Sequence, residues 1–424
     1  METHEQQSAS SDEQVLILGG GFAGLFTALH LDKSGCPLPV KLVDRETRFV
    51  FKPLLYELLS NEVQVNITWP RYEEILANRD ITHILGSIQS IDLQKQQVEL
   101  ESGLSYGYRY LVIALGDTAG YFGVPGAEEH AFTFRTADDA LSLGKHLRQR
   151  LQEAAQTEDA AIRKALLTVA IVGAGQSGVE LSATLADLLP DWYEKLDGNP
   201  EELRIVVIQR GSEILKGSVG DELREVAEKA LNKRQVPVEL LLEATVSEVR
   251  SGWLAYCQDD EDHCLEAETI IWTAGSATHP LVKALPIEDT HRDFRGRPYL
   301  ASTLQLVGAS NVFAGGDCAV DVREPQPATA QVAYQQGRAI AHNIMALIEG
   351  REPKPVDVAL RGTLMKLGIE ESIAEIMGRV RITGHAGHLI RQATYLGLLP
   401  TPVRNLKLSA EWLADEVFEQ VLGV

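Results

Sequence analysis

Two glycine clusters in the sequence share one spacing, in which the second glycine lies two residues and the third five residues after the first. The clusters are Gly19, Gly21 and Gly24, and Gly173, Gly175 and Gly178. In this spacing the first glycine permits a tight turn, the second lets the backbone approach a pyrophosphate, and the third lets a helix pack closely on a strand. A helix that begins at such a turn directs free N–H groups at phosphates. Each cluster therefore predicts a dinucleotide site, and the alternative is a glycine-rich turn in an ordinary α/β protein.

The residue that ends the next strand distinguishes the two clusters. Asp44 ends the apolar run that begins at Val40 and lies 20 residues after Gly24, close to the spacing of an acid that binds ribose hydroxyls. After the second cluster the strand ends in Gln209 and Arg210, without an acid. Because an acid would repel a 2′-phosphate and an arginine can bind one, the second site is predicted to prefer NADPH over NADH. The gap before Gln209 is longer than expected, and the alternative is that Arg210 is a solvated surface residue and both nucleotides bind.

Three later positions are predicted to contact the cofactors. Gly116 ends a strand that begins at Tyr110, so that the backbone can pass close to a ligand there. Gly275 ends the strand-like segment after Thr269 and is also predicted to bind a cofactor. Asp317 follows a short strand and precedes a helical stretch, where a carboxylate can bind the ribitol hydroxyls of FAD. A strand followed by an aspartate is common, but downstream of two glycine clusters it supports FAD in the first site.

Each glycine cluster lies within a predicted strand, helix, strand unit. The elements are Gln14–Leu18, Leu25–Leu31 and Val40–Val43 around the first cluster, and Thr168–Val172, Val179–Leu189 and Arg204–Ile208 around the second. Two such units predict an α/β protein with two nested Rossmann-like dinucleotide-binding domains, the second inserted into the first. The predicted segments are a disordered tail at 1–13, an FAD-binding domain at 14–140 and 276–355, an NAD(P)H-binding domain at 165–275, and a membrane- and quinone-associated C-terminal region at 356–424.

Composition argues against several classes of protein. The net charge of −21 argues against a nucleic-acid partner. No run of roughly 18 apolar residues occurs, so no membrane-spanning helix is predicted. The cysteines Cys36, Cys257, Cys264 and Cys318 form no closely spaced pair. This argues against a disulfide framework, a metal site and the redox cysteine pair of a disulfide reductase.

The C-terminal region differs from the rest of this acidic chain. Between Ile376 and Ala410 there is no Asp or Glu, and apolar residues recur there and further on at helical spacing. An amphipathic helix with basic flanks can lie on an anionic membrane surface, so the region is predicted to be helical and to bind a membrane. The alternatives are docking on the core and a homodimer contact. The residues concerned are the basic Arg379, Arg381, His388, Arg391, Arg404 and Lys407, and the apolar Leu389, Ile390, Ala393, Leu396, Leu399, Leu406, Ala410, Leu413, Val417 and Val421.

Three stretches resemble the type II NAD(P)H:quinone oxidoreductases, which are flavoproteins with two dinucleotide folds. They are Phe49–Leu58 after the first ribose strand, Val172–Leu181 at the second glycine cluster, and Thr329–Gly337 in a helical stretch. Two more, Gly384–Arg391 and Thr394–Thr401, resemble the demethylphylloquinone reductases, the cyanobacterial and plastid members that act in phylloquinone synthesis and prefer NADPH. Ordinary members often carry an acid at the position of Gln209, and this chain departs from them there.

The resemblance implies an enzyme that binds FAD and NADPH (or NADH), passes hydride from nicotinamide to flavin, and reduces a membrane-dissolved quinone to the quinol. Demethylphylloquinone is the favoured acceptor. The implied location is peripheral, on the cytoplasmic face of a membrane (thylakoid or plasma membrane in a cyanobacterium), and a homodimer is compatible with it. The alternatives are a type II NADH dehydrogenase that reduces plastoquinone or menaquinone, a ferredoxin- or rubredoxin-dependent reductase, and a non-catalytic flavoprotein that senses redox state.

The resemblance also gives roles to side chains. It places Glu180 near the flavin and the nicotinamide, where the carboxyl orients the nicotinamide or relays protons. Alternatively, Glu180 only interacts with the helix dipole. Gln331, Tyr334 and Gln335 share one helical face and can hydrogen-bond quinone oxygens and flavin edges, unless that face is simply solvated. Lys52 either lines the flavin or belongs to a surface loop.

Overall fold

The structure, a computed structural model, describes residues 13–62, 68–217, 219–360, 362–376 and 380–400. Its strands are β1 (Val15–Leu18), β2 (Val40–Asp44), β3 (Ile81–Leu85), β4 (Ile88–Asp92), β5 (Gln97–Leu100), β6 (Ser105–Gly107), β7 (Tyr110–Ile113), β8 (Asp117–Ala119), β9 (Phe132–Thr133), β10 (Thr168–Val172), β11 (Arg204–Ile208), β12 (Val238–Leu241), β13 (Thr245–Arg250), β14 (Trp253–Gln258), β15 (Glu261–Glu266), β16 (Thr269–Trp272), β17 (Ser276–Thr278), β18 (Tyr299–Leu300), β19 (Gln305–Leu306), β20 (Ala309–Ala314), β21 (Val320–Asp321), β22 (Gly362–Gly368), β23 (Glu371–Ile376) and β24 (Val380–Thr383). Its α-helices are α1 (Phe22–Lys33), α2 (Leu55–Ser60), α3 (Tyr72–Ile75), α4 (Ala127–His130), α5 (Ala137–Gln156), α6 (Ala160–Leu167), α7 (Gln176–Glu194), α8 (Asp221–Asn232), α9 (Pro280–Lys283), α10 (Ala330–Ile348) and α11 (Gly384–Leu398).

The first of two compact units comprises Met1–Phe49, Pro70–Thr118 and Ala277–Leu360. Its main sheet has the strand order β21-β18-β19-β20-β7-β1-β2-β3, and the strands from β20 to β3 run parallel. Every residue of β1 and β7 is buried, as expected of parallel strands that are covered on both faces. The first glycine cluster follows β1 near the middle of this sheet and leads into α1.

The second unit comprises Val50–Trp69, Ala119–Ser276 and Arg361–Val424. Its parallel sheet has the order β12-β11-β10-β16-β9, with β10 fully buried. Two antiparallel sheets, β13-β14-β15 and β22-β23-β24, complete the unit. The second glycine cluster follows β10 and leads into α7, so the two predicted strand, helix, strand units are both present.

The two units are nested in sequence, because 119–276 interrupts the first unit. Their limits differ from the expected domains at 50–69 and 119–140, which fall in the second unit rather than in an FAD-binding domain. The reason is packing, since α2 buries Leu55, Leu58 and Leu59 in the same apolar core as α5 and α7. Helix α2 is too short for its sequence to show which core it joins.

The C-terminal region contains strands as well as the predicted helix. Residues 362–376 and 380–383 form β22, β23 and β24, and α11 follows directly. Met365, Leu367 and Ile373 of this sheet are buried in the core of the second unit. The second predicted amphipathic stretch, from Leu406 to Val421, lies outside the described residues. No helix among those that the structure describes is long and apolar enough to cross a bilayer.

Candidate active site

The first glycine turn connects β1 to α1. Gly19 has a φ of 95°, which favours glycine, and its N–H donates to the Val43 carbonyl over 2.8 Å. A Cβ on Gly24 would lie 1.9 Å from the Gly19 carbonyl oxygen, so α1 can begin this close to β1 only with glycine there. A Cβ on Gly21, by contrast, would meet no atom within 4 Å. The fold therefore requires Gly19 and Gly24, whereas the turn is open to a ligand at Gly21.

The second glycine turn, between β10 and α7, repeats these features. Gly173 has a φ of 107°, and its N–H donates to the Ile208 carbonyl over 2.8 Å. A Cβ on Gly178 would lie 1.9 Å from the Gly173 carbonyl oxygen, and a Cβ on Gly175 would meet no atom within 4 Å. Within the described part of the chain, no side chain caps the N-terminus of α1 or α7. Both helices therefore have N–H groups at an open turn, which fits the pyrophosphate of a dinucleotide.

A side chain at the end of the next parallel strand, β2 or β11, holds the backbone of each glycine turn. The Asp44 carboxylate accepts from the Gly20 N–H over 2.5 Å. The Gln209 amide oxygen accepts from the Ala174 N–H over 3.1 Å. Gln209 thus occupies in the second turn the place that Asp44 occupies in the first, despite its longer separation in sequence. The first turn therefore has a carboxylate at this place, and the second has a neutral amide.

Several residues of the first unit build a recess near the end of β20. The Gln336 side chain accepts from the Gly316 N–H over 2.7 Å, and these two residues line the recess together with Asp317. Gly337 lets α10 approach α1, because a Cβ there would lie 2.5 Å from the Ala23 carbonyl oxygen. Gly116 has a φ of 66° and open space where a Cβ would be. The open glycine turn, Asp44 and the polar recess fit the predicted contacts with the pyrophosphate, the ribose and the ribitol of FAD.

The predicted polar face of α10 is half-buried. The Tyr334 ring packs edge-on against Phe26 of α1, with 4.6 Å between the ring centroids. The Gln335 amide donates to the Ala359 carbonyl over 3.0 Å and accepts from its N–H over 3.1 Å. Tyr334 and Gln335 therefore have structural partners within the first unit. A contact of Gln331 or Tyr334 with a quinone or flavin stays a prediction.

Glu180 of α7 is buried in the second unit, with 5% of its surface exposed. Its carboxylate accepts from the Lys366 N–H of β22 over 2.8 Å and hydrogen-bonds the Tyr56 hydroxyl of α2. Burial raises the pKa of Glu180 above its ordinary value, although Arg391 and these hydrogen bonds oppose the shift. Because its partners lie on β22 and α2, the geometry disfavours the alternative of a simple helix-dipole contact.

A buried cluster of charges adjoins Glu180. Glu57 of α2 pairs with the Lys366 ammonium over 3.3 Å and with the Arg391 guanidinium of α11. Arg391 also donates to the Pro53 carbonyl over 2.7 Å. The Lys366 and Arg391 side chains are both 0% exposed. Burial raises the pKa of Glu57, but Arg391 and Lys366 outweigh it and hold that pKa well below its ordinary value.

The expectation that His388 and Arg391 flank a membrane-facing surface is wrong. Both side chains are buried on the inner face of α11, where Arg391 pairs with Glu57. Leu389 lies on the opposite side of this helix and is 38% exposed. Arg381 is half exposed and pairs with Glu375 over 3.1 Å. The basic residues Arg379, Arg404 and Lys407 lie outside the described residues.

The other predicted site residues lie in the second unit. Lys52 is exposed in a single turn of 3-10 helix. Arg210 is exposed beside Phe122, and Gly275 has a φ of 71° with the Phe122 ring against it. Arg210 and Gly275 follow β11 and β16, which flank β10 in the sheet. They therefore lie on either side of the second glycine turn.

Sequence reasoning missed the partners that position Glu180 and the Gln336 side chain that lines the recess near the end of β20. The sequence does contain one indication that Glu57 is buried, because it is a lone acid within the apolar stretch Leu54–Leu59. Lys366 gave another, a lysine between Met365 and Leu367 of an apolar strand. Gln336 carried no separate signal, because amides are common on helix surfaces.

Comparison with known proteins gives consistent results. The family model of pyridine nucleotide-disulphide oxidoreductases matches residues 13–337. A demethylphylloquinone reductase from Synechocystis is 33% identical, over 94% of this chain and 95% of its own length. The alternative NAD(P)H-ubiquinone oxidoreductase C1 of Arabidopsis thaliana is 32% identical, over 96% of this chain and 82% of its own. The structure of NDH2 from Plasmodium falciparum with NADH superposes with a TM-score of 0.85 at 17% identity, covering 97% of this chain and 99% of that one.

Proposed function

The chain belongs to the pyridine nucleotide-disulphide oxidoreductase family and, within it, to the type II NAD(P)H:quinone oxidoreductases, and on that premise we propose that it passes hydride from NADPH to FAD and reduces a membrane quinone to the quinol. The proposed physiological quinone is demethylphylloquinone. Two stretches near the C-terminus support this choice, as does the 33% identity to a demethylphylloquinone reductase.

The difference between two otherwise matched glycine turns carries the proposal. Asp44 holds the first turn, and its carboxylate can accept from the ribose hydroxyls of FAD. Gln209 holds the second turn without a charge, and the exposed Arg210 follows it. NADPH differs from NADH by a 2′-phosphate. A neutral amide does not repel this phosphate, and an arginine can donate hydrogen bonds to it.

Two sets of residues are proposed to bind the two cofactors. FAD supplies the redox chemistry, since its flavin takes up hydride and gives electrons to a quinone. The protein binds and orients the two cofactors. The proposed FAD residues are Gly19, Gly21, Gly24, Asp44, Lys52, Gly116, Asp317 and Gln331, and the proposed NADPH residues are Gly173, Gly175, Gly178, Gln209, Arg210 and Gly275.

Glu180 is the proposed proton-holding group. Quinol formation consumes two protons, and a buried carboxyl with a raised pKa can hold one closer to neutral pH than an exposed carboxyl can. The Tyr56 hydroxyl and the Lys366 N–H fix the orientation of the carboxylate. Gln331 and Tyr334 are the side chains proposed to contact the quinone.

Helix α11 supports the proposed contact with a membrane surface. Ala386, Leu389, Ala393 and Gly397 are exposed and recur at the spacing of one helical face. Such a face can lie in the interface of a bilayer, where a long-tailed quinone is dissolved. Because Arg391 and His388 are buried, the proposal for α11 rests on this apolar face alone.

Turnover with a panel of quinones and both nicotinamide nucleotides tests the proposal. We expect the highest kcat/KM with NADPH and demethylphylloquinone.

In Arg210→Glu, an anion replaces the proposed phosphate ligand, and the ratio of kcat/KM for NADPH to that for NADH should fall at least about tenfold. An unchanged ratio would contradict the role of Arg210. Preference for plastoquinone or menaquinone with NADH would favour a respiratory-type dehydrogenase, and flavin reduction without quinone turnover would favour a redox sensor.

Leu389→Glu tests the membrane surface. Withdrawing one leucine from the interface costs about 1.5–3 kcal/mol, so binding to anionic vesicles should weaken about tenfold or more, with flavin content unchanged. Leu104→Glu is a matched control, because Leu104 is 56% exposed in the first unit. Equal sedimentation of both variants with vesicles would show that this face of α11 does not bind the membrane.

A further inference from the structure

A strained turn in the second unit places an aromatic ring in solvent. The Val124 N–H donates to the Tyr121 carbonyl over 3.0 Å, and the two central residues, Phe122 and Gly123, have φ values of 52° and 73°. Turns with positive φ at both central positions strongly favour glycine, asparagine and aspartate. A phenylalanine in this conformation is an outlier that costs free energy. Phe122 is 67% exposed, so apolar burial does not offset that cost.

The turn is fixed to the parallel sheet. The Trp272 indole, at the end of β16, donates to the Gly120 carbonyl over 3.1 Å. The Tyr121 ring packs on Trp272, with 5.9 Å between the centroids. The position of Phe122 is therefore set by buried contacts of its neighbours.

The Phe122 ring lies at the nucleotide-binding edge of the sheet. A Cβ on Gly275 would be 2.4 Å from the ring Cζ, so glycine is needed there for the ring to fit. The Arg210 guanidinium carbon also lies over the ring, 5.8 Å from its centroid. Arg210 and Gly275 follow strands on either side of β10, at the carboxyl edge where such sheets bind dinucleotides.

From this placement we infer that Arg210 and Phe122 form a slot that stacks the adenine ring of the nicotinamide dinucleotide. A planar ring between two groups needs about 7–8 Å, twice an optimal stacking distance of about 3.5–4 Å. The observed 5.8 Å is short of this by about 1–2 Å, which rotation of the exposed Arg210 side chain can supply. A guanidinium can stack through its face while its N–H groups, in the plane, donate to a phosphate. The same Arg210 can therefore hold the adenine and the 2′-phosphate.

The slot rests on the proposed function of the second unit, and binding of adenosine 2′,5′-bisphosphate tests it. The experiment is calorimetric titration of the FAD-loaded full chain. Phe122→Asn removes the ring and suits the positive φ. We expect its Kd to rise about 5- to 100-fold, the usual loss when a base loses its aromatic partner. Phe122→Tyr should bind within about twofold of the wild type. Phe294→Asn is the control, because Phe294 is 91% exposed in the first unit and should have no effect.

Reduced nicotinamide mononucleotide, which lacks adenine, gives a second readout. Its rate of flavin reduction should be the same in the wild type and in Phe122→Asn, whereas the KM for NADPH should rise in the variant. Unchanged affinity of Phe122→Asn for the bisphosphate would overturn the slot and leave the proposed function intact. If the wild type neither binds the bisphosphate nor reduces its flavin with NADPH, the proposed function itself fails.

Discussion

Gly21→Val should give a folded but colourless protein whose quinone turnover falls to background. Gly21 has extended dihedrals, φ −67° and ψ −168°, which valine can adopt, and a Cβ would meet no atom of the described residues within 4 Å. The added methyl groups would instead fill the space in which a pyrophosphate approaches the backbone. Flavin absorbance after purification and thermal unfolding of the FAD-free protein measure the two effects separately.

Two other glycines of the glycine turns provide controls for this result. Gly175→Val makes the same change in the second turn, where the dihedrals are φ −72° and ψ −175°. It should retain the yellow colour and lose reduction by NADPH. Gly24→Ala should destabilise the protein, because its Cβ would lie 1.9 Å from a backbone oxygen. A yellow Gly21→Val protein with normal turnover would contradict the assignment of FAD to the first turn.

Arg391→Met should destabilise the protein by about 3–5 kcal/mol, because it leaves Glu57 buried without its guanidinium partner. Lys366 remains near Glu57 but is shared with Glu62, over 2.9 Å. For a unit of this size the loss corresponds to a fall in Tm of roughly 10 °C or more. Thermal unfolding monitored by circular dichroism at neutral pH gives the measurement.

Arg381→Met is the matched control for Arg391→Met. Arg381 pairs with Glu222 and Glu375 at the surface, where such pairs contribute about 0–1 kcal/mol. The double variant Glu57→Gln/Arg391→Met should recover part of the stability, since no unpaired carboxylate is buried. Since the pKa of Glu57 is lowered by folding, the contribution of the pair is complete at neutral pH and declines only as pH falls below about 4.5. Equal stability of the two single variants would show that the buried pair is not what fastens α11.

The strands and helices around the two glycine turns could be predicted from the sequence. The bounds of β10 and β11 are the predicted ones, because strands buried on both faces are continuous apolar runs with little ambiguity. The spacing of the glycines in each cluster is sufficient to predict where a helix packs closely on a strand. Gly24 and Gly178 could therefore be placed at these contacts without knowledge of the rest of the chain. Gln209 could be placed at the strand end, although only the structure shows that it bonds to Ala174.

The surroundings of Glu180 could not be predicted. Glu57 and Arg391 are 334 positions apart, and no periodicity connects them. In an amphipathic helix an arginine is normally expected on the solvent-facing side. That expectation fails when a carboxylate from a distant part of the chain pairs with the guanidinium and compensates for the cost of burying its charge. Nor could the packing of α2 in the core of the second unit be predicted. A helix of six residues has too few apolar positions to indicate which core it packs against.

Anaerobic titration of the purified yellow protein with NADPH tests the central claim, that one crevice holds FAD and the other delivers hydride to it. We expect the flavin absorbance to bleach with one NADPH per flavin and to return when a quinone is added without air. A protein that folds without flavin, or a bound flavin that neither NADPH nor NADH reduces, would contradict the account.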